Sequence, residues 1–132
     1  MDRPILGITM GDPASIGPEI AAKALAETGV YATARPFVLG DARILADTLQ
    51  ITQLPLTLHP IAKVEEARFT RGTLDVLDFA NVDMAAHRYG KVSAMCGKAS
   101  VEYIEKAIAM ALANEIDAVV TGPIHKESIH QA

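Results

Sequence analysis

The sequence predicts an α/β fold, a mostly parallel sheet flanked by helices, on three observations. Short β-prone apolar stretches alternate with helical ones along the 132 residues, the order that a parallel sheet covered on both faces produces. The run Gly11-Asp12-Pro13-Ala14-Ser15-Ile16-Gly17-Pro18-Glu19 joins the first such stretch to a helix through two glycines and two prolines. Half of the residues are hydrophobic and 21% are charged, enough for one ordinary core and too few residues for a second complete domain. No internal repeat, low-complexity tract or Ser/Pro-rich linker interrupts the pattern.

Each element has a local reason. Residues 4–10 form the first strand, carried by Ile5, Leu6, Ile8 and Met10. Residues 18–28 read as an alanine-rich helix ended by Gly29, with Pro18 at the first helical position, where no amide hydrogen is needed. Residues 35–39 are a second strand running into Gly40-Asp41, and Asp41 caps a helix over about residues 42–49. Residues 56–61 and 73–79 are strands separated by the charged stretch 63–71. The longest helix covers 94–114, with Val101, Ile104, Ile108, Ala111 and Leu112 recurring on its apolar face. Residues 116–121 close the pattern as a short buried strand.

The joint at Gly11–Glu19 lies at a strand's carboxyl end, where open α/β sheets bind ligands between converging loops and helix N-termini. Gly11 and Gly17 are six apart with no glycine between them, which is neither G-x-G-x-x-G nor G-x-x-x-x-G-K. Glu19 already occupies the positive helix end, an interaction worth roughly 0.3–1 kcal/mol, so a phosphate arriving there would meet both Glu19 and Asp12. The joint is either a ligand-site turn other than a pyrophosphate cradle or a rigid connector. Asp41 ends a second strand, as the ribose-reading acid of dinucleotide folds does, but without the glycine fingerprint helix capping is the reading. Thr121-Gly122-Pro123 should open onto the same rim as Gly11-Asp12, with Lys126 shortly after. A lysine offers a mobile point charge with three donors and Thr121 a hydroxyl, which suits an anion; the alternative is an exposed lysine at a helix start. The cleft-lining candidates are therefore Gly11, Asp12, Gly17, Thr121, Gly122 and Lys126, with no catalytic and no metal-binding residue assigned.

The stretch Gly7-Ile8-Thr9-Met10-Gly11-Asp12-Pro13-Ala14-Ser15-Ile16-Gly17-Pro18-Glu19-Ile20 closely resembles the opening of the 4-hydroxythreonine-4-phosphate dehydrogenase family. More distantly, it is similar to the Gly-Asp-Gly-Ile-Gly-Pro-Glu turn of isocitrate and isopropylmalate dehydrogenases. Asp117-Ala118-Val119-Val120-Thr121-Gly122-Pro123-Ile124-His125-Lys126-Glu127 resembles the same family's next signature, and Gly90-Lys91-Val92-Ser93 with Gly97-Lys98-Ala99 is similar to the segment between. The resemblance spans the chain. It implies that residues 1–132 are the N-terminal α/β domain, the first of two, of an isocitrate/isopropylmalate dehydrogenase-like enzyme. It also favours a substrate-side role for Lys126. Two departures stand out. Ser15 replaces the family's usual glycine, which costs on the order of 1 kcal/mol if the position needs a positive φ. Family members are also more than twice as long, and the resemblance places their substrate-binding Gly-His-Thr segment and metal-binding histidines beyond Ala132. This chain alone is not expected to catalyse.

The resemblance implies an NAD- (or NADP-) dependent oxidation of a phosphorylated four-carbon hydroxy acid, followed by decarboxylation of the β-keto acid. A divalent metal (Zn, Mg, Mn or Co), with ligands outside this chain, would polarise the reacting oxygen. Substrates in the family are 4-hydroxythreonine 4-phosphate, in vitamin B6 (pyridoxine) synthesis, or the 4-phosphates of D-threonate and D-erythronate, in sugar-acid breakdown. The Thr9-Met10 flank and Ser15 lean towards the sugar-acid branch. Relatives are homodimers, so a homodimer is expected of the full-length protein. Alternatives are a phosphate acyltransferase-like enzyme and a non-catalytic binding or assembly domain.

Other classes are disfavoured. A net charge of −4 with scattered basic residues gives nucleic acid no electrostatic footprint. The longest apolar run, residues 107–113, is far too short for a bilayer, and no leader pattern opens the chain, so cytoplasmic residence is the default. The single cysteine, Cys96, permits no internal disulfide; it lies near a helix start, which lowers a thiol pKa, yet no histidine base is recognisable nearby and it is read as buried and inert. His125 and His130 stand about 140° apart on a helix and cannot face one metal. His59 and His87 have no acidic or thiol partner at ligand spacing and read as ordinary surface or core histidines.

Overall fold

A computed structural model describes residues 3–27 and 29–132. The chain forms β1 (Ile5–Thr9), α1 (Gly17–Ala26), α2 (Val30–Thr33), β2 (Arg35–Gly40), α3 (Ala42–Thr52), β3 (Thr57–Ile61), a 3₁₀ turn (Val64–Glu66), β4 (Thr73–Asp78), α4 (Ala94–Leu112), β5 (Ala118–Thr121) and α5 (Lys126–Gln131). The strands make one sheet in the order β3-β4-β2-β1-β5, every pairing parallel. Phe37, Val38 and Leu39 of β2 are successive and fully buried. Successive residues point to opposite faces, so helices cover both sides of this central strand. The α/β class and the parallel, helix-flanked sheet read from the sequence are the observed ones.

Strand order locates the ligand crevice. From β1 the chain steps to β2 on one side, and after β4 it crosses by α4 to place β5 on β1's other side. The connections leaving β1 and β5 lead to different helices, α1 and α5, so the sheet's switch point lies between these two strands, where open α/β sheets hold ligands at the strands' carboxyl ends. The pairing registers Thr9 with Thr121, so the two loops begin level with one another.

Several expectations are corrected. The last strand is neither six residues long nor buried: β5 covers Ala118–Thr121 at the edge of the sheet among the described residues, and Val120 is 46% exposed. Its apolar composition suited a central strand, but no described strand lies beyond it. On α4 the buried residues are Cys96, Gly97, Ala99, Ser100, Tyr103, Ala107 and Met110, whereas Ile108 and Leu112 of the predicted face are 49% and 80% exposed. At the start of α4 a small residue is required where α5 packs against it, since a Cβ on Gly97 would run into the Ser128 carbonyl oxygen, while Tyr103 and Met110 fill the inner face further along. The first helix begins at Gly17, one residue before Pro18, and ends at Ala26; residue 28, its predicted end, lies outside the described residues. The third helix runs on to Thr52, closed by Gln53 in the left-handed region at φ 56°. Helix α2 and the 3₁₀ turn inside the charged stretch carry no readable signal, and the sequence shows α5 only as a helix start near Lys126. Asp75, fully buried on β4, holds that charged stretch: it accepts from the Arg68 and Phe69 amides at 2.9–3.2 Å and meets His59 Nδ1 at 2.7 Å. His59 thus has an acidic partner, 16 residues away, beyond the reach of spacing arguments.

Candidate functional site

The turn after β1 and the loop after β5 are one interlocked unit. The Asp12 amide donates to the Pro123 carbonyl at 3.0 Å, and the Gly122 amide donates to both the carbonyl and the hydroxyl oxygen of Thr9, each at 3.0 Å. Gly11 has φ +80°, and a Cβ there would overlap the Pro123 carbonyl oxygen; one on Gly122 would strike the Thr9 carbonyl. Both positions need glycine for contact between the two backbones. Gly17 serves the same turn from below, since a Cβ would meet the Met10 carbonyl oxygen. The cost foreseen for Ser15 does not arise: Ser15 is absent from the positive-φ residues, and its amide closes the turn on the Asp12 carbonyl at 3.1 Å.

A third segment, the loop at residues 87–91, docks on this unit. The Gly90 amide donates to the Ala14 carbonyl at 2.8 Å. Tyr89 stands edge-on to His87, with ring centroids 4.5 Å apart, and its hydroxyl donates to Asp47 Oδ2 at 3.3 Å. Burial, helped by the Asp47 charge, pushes that phenol up to about 12, so it remains a donor.

Between the three segments lies a cavity of about 320 Å³ lined by Asp12, Ile16, Tyr89, Lys91 and His125 among others. Asp12 is 1% exposed; its Oδ1 accepts from the Ala14 amide at 2.8 Å, while its Oδ2 has no partner among the described residues. His125 Nδ1 and His87 Nε2 are also buried without partners. Buried polar atoms are nearly always paired; of these three, Asp12 Oδ2 and His125 Nδ1 belong to residues that line the cavity. A second cavity of about 320 Å³, lined by Pro18, Glu19, Thr48 and Ile51, shares the Ser15 and Tyr89 wall.

Of the predicted residues, the fold brings Gly11, Asp12 and Gly122 to this rim, and Gly17 supports it from α1. Thr121 ends β5 exposed, and it is Thr9, fully buried, whose hydroxyl holds the loop. Lys126 is exposed at the start of the short helix α5 and does not line the cavity; the lysine that does is Lys91. Lys91 and His125 fell within the segments singled out from the sequence, but only the folded chain brings them beside Asp12, 79 residues before Lys91 (91 − 12).

His87 and Cys96 form a pair that the sequence did not reveal, with Nδ1 and Sγ 3.6 Å apart. Burial lowers the His87 pKa despite the opposing charges of Asp12, Asp47 and Asp41. Burial likewise raises the Cys96 thiol, overriding the hydrogen bond in which Ser93 takes part and any help from the start of α4. Both groups are thus held neutral, which suits a packed thiol rather than a nucleophile. Asp41 caps α3 as expected, accepting from the Arg43 and Ile44 amides at 2.9 and 3.4 Å and from the Val82 amide at 3.0 Å, with Arg43 Nη2 at 3.1 Å. Burial alone would raise its pKa, but these bonds and the Arg43 charge bring it below the usual carboxylate value. Its oxygens are engaged within the chain, which leaves none for a ribose.

Among the described residues no three His, Cys, Asp or Glu side chains are grouped to hold a metal ion. A divalent ion therefore does not fit this chain's own donors. No helix among the described residues is long and apolar enough to cross a membrane.

Comparison with known proteins gives consistent results. Residues 32–132 match the family model of the pyridoxal phosphate biosynthetic protein PdxA. A protein of Symbiobacterium thermophilum, provisionally named a D-threonate 4-phosphate dehydrogenase, is 48% identical over 130 residues, 98% of this chain and 39% of the relative. A Clostridium botulinum protein with the same provisional name is 42% identical over the same shares. The crystal structure of a 4-hydroxythreonine-4-phosphate dehydrogenase from Burkholderia phymatum superposes with a TM-score of 0.95 at 38% identity, covering 99% of this chain and 39% of that one. The chain thus spans well under half the length of the relatives it matches.

Proposed function

We propose, from the premise that this chain belongs to the PdxA family, that it is the N-terminal α/β domain of a dehydrogenase acting on a phosphorylated four-carbon hydroxy acid. The substrate is D-threonate or D-erythronate 4-phosphate, or 4-hydroxythreonine 4-phosphate; the 48% and 42% identical relatives carry the first name, which favours the sugar-acid branch. The oxidant is NAD or NADP. The protein is a cytoplasmic homodimer at full length, and a divalent ion belongs to residues outside this chain.

The observation that carries this reading is the rim itself. Two loops from opposite sides of the topological switch lock together through paired backbone hydrogen bonds and border a cavity with unpaired buried acceptors. Such crevices hold ligands in open α/β sheets. This chain's part is to bind and orient: the interlock fixes Asp12 and His125 as one wall, and Ile16 and Tyr89 give the cavity apolar sides. A rigid wall holds reacting atoms in register without further ordering cost at the moment of reaction. The test is a chimaera in which this chain replaces the matching part of the S. thermophilum relative, supplied with NAD, a divalent metal and D-threonate 4-phosphate. Reduced nicotinamide and carbon dioxide should form together. Acyl transfer between phosphate and coenzyme A with no hydride transfer would replace this reading with an acyltransferase.

A further inference from the structure

We propose that the cavity bordered by Asp12, Lys91 and His125 is a subsite for a small ligand carrying a hydrogen-bond donor at one end and an anion at the other, with Asp12 Oδ2 accepting the donor. The dehydrogenase reading enters only through the choice of probe. Asp12 is the deepest polar group of the cavity wall at 1% exposed, and its Oδ1 is committed to the turn. An unpaired carboxylate oxygen in a buried setting repels phosphate and carboxylate and attracts a donor, so the inner end of the ligand bears a hydroxyl or an ammonium. His125 Nδ1, also unpaired, supplies a second polar contact whose sense follows its tautomer. Lys91 is the exposed cation on the same cavity, so the anionic end faces outward to it. The remaining walls are Ala14, Ile16 and the Tyr89 ring, with Ser15 and Gly90 between them, and they suit a short carbon chain between the two ends. At about 320 Å³ the cavity stands at the small end of ligand sites, which run from about 300 to 1,000 Å³; it takes a few carbons rather than a whole dinucleotide.

The experiment is titration calorimetry on the 132-residue chain with D-threonate 4-phosphate, 4-hydroxythreonine 4-phosphate and inorganic phosphate, alongside nitrogen NMR of the histidine rings. One of the two organic phosphates should bind at least about tenfold more tightly than inorganic phosphate, the loss expected when a donor to a charged acceptor is missing; which one binds better identifies the inner donor as hydroxyl or ammonium. Asp12→Asn and Lys91→Ala should each weaken that binding about tenfold, and the His125 ring signal should move on titration while His130 stays. Should Asp12→Asn fail to fold, Lys91→Ala and the His125 signal still decide. Failure of both organic phosphates to bind, or binding that neither substitution weakens and that leaves His125 unmoved, overturns the proposal. A chimaera that turns over while Asp12 and Lys91 prove indifferent removes this subsite and keeps the dehydrogenase; Asp12-dependent binding without hydride transfer does the reverse.

Discussion

Among the described residues three carboxylates are buried, and they differ in how fully the chain satisfies them. Asp41 and Asp75 are fully enclosed, and both oxygens of each accept from the chain's own amides or side chains. Asp12 is as enclosed, yet one of its oxygens has no partner among the described residues. Asp41 sits where β2 hands over to α3 and Asp75 lies within β4, and each holds a neighbouring segment down. The third sits at the switch point of the sheet, facing a cavity. Burial alone does not set Asp12 apart; burial with an unfilled bond does.

The contrast predicts a ranking. Asp75→Ala deprives the Arg68 and Phe69 amides and His59 of their shared acceptor, and should cost about 3 kcal/mol or more in a denaturant melt. A cost below about 1 kcal/mol would show that the charged stretch is held by something else. Asp41→Ala should cost about 2 kcal/mol by the same measurement, as the α3 cap and the Val82 contact go together. Both exceed the effect of Asp12→Asn on stability, expected within about 1 kcal/mol because no described donor is lost from Oδ2.

Acid offers a subtler separation. His87 has a folded pKa below its unfolded one, so on acidification the unfolded chain takes up this proton first. Stability from this source is intact above the unfolded value of about 6.5 and falls as pH drops below it. Asp41, also depressed, contributes stability that is present above the ordinary carboxylate value and is lost only as pH falls through its still lower folded value. Thermal melts against pH should therefore show a first decline starting near pH 6.5 that His87→Asn abolishes, and a separate acid decline that it leaves. Smallest of all, Leu112→Gln should change stability by no more than about 0.5 kcal/mol, because the residue is 80% exposed; the helical periodicity alone would have made it a core substitution.

Much of the scaffold was legible from local chemistry. Alternating apolar and helical stretches gave the α/β order, Asp41 before a helical run gave the cap, and two glycines with two prolines marked the turn after β1. What stayed hidden depends on distant segments. The face of α4 that packs inward is set by how closely the backbone of α5 approaches Gly97, which no count of apolar residues contains. His59 with Asp75 and His87 with Cys96 are separated by 16 and 9 residues and meet only through the fold. At the site, glycines and Asp12 were visible because turns have strict requirements, whereas the choice of Lys91 over Lys126 turns on where the 87–91 loop docks.

Amide hydrogen exchange at Asp12 and Gly122, with and without D-threonate 4-phosphate, is the direct test of a rim made by two loops acting as one. Their amides donate across the crevice in opposite directions, to Pro123 and to Thr9. They should share one opening free energy and slow together when the ligand is present. Fast exchange at Asp12 beside a protected Gly122, unchanged by ligand, would mean that the two loops move independently and that no common site joins them.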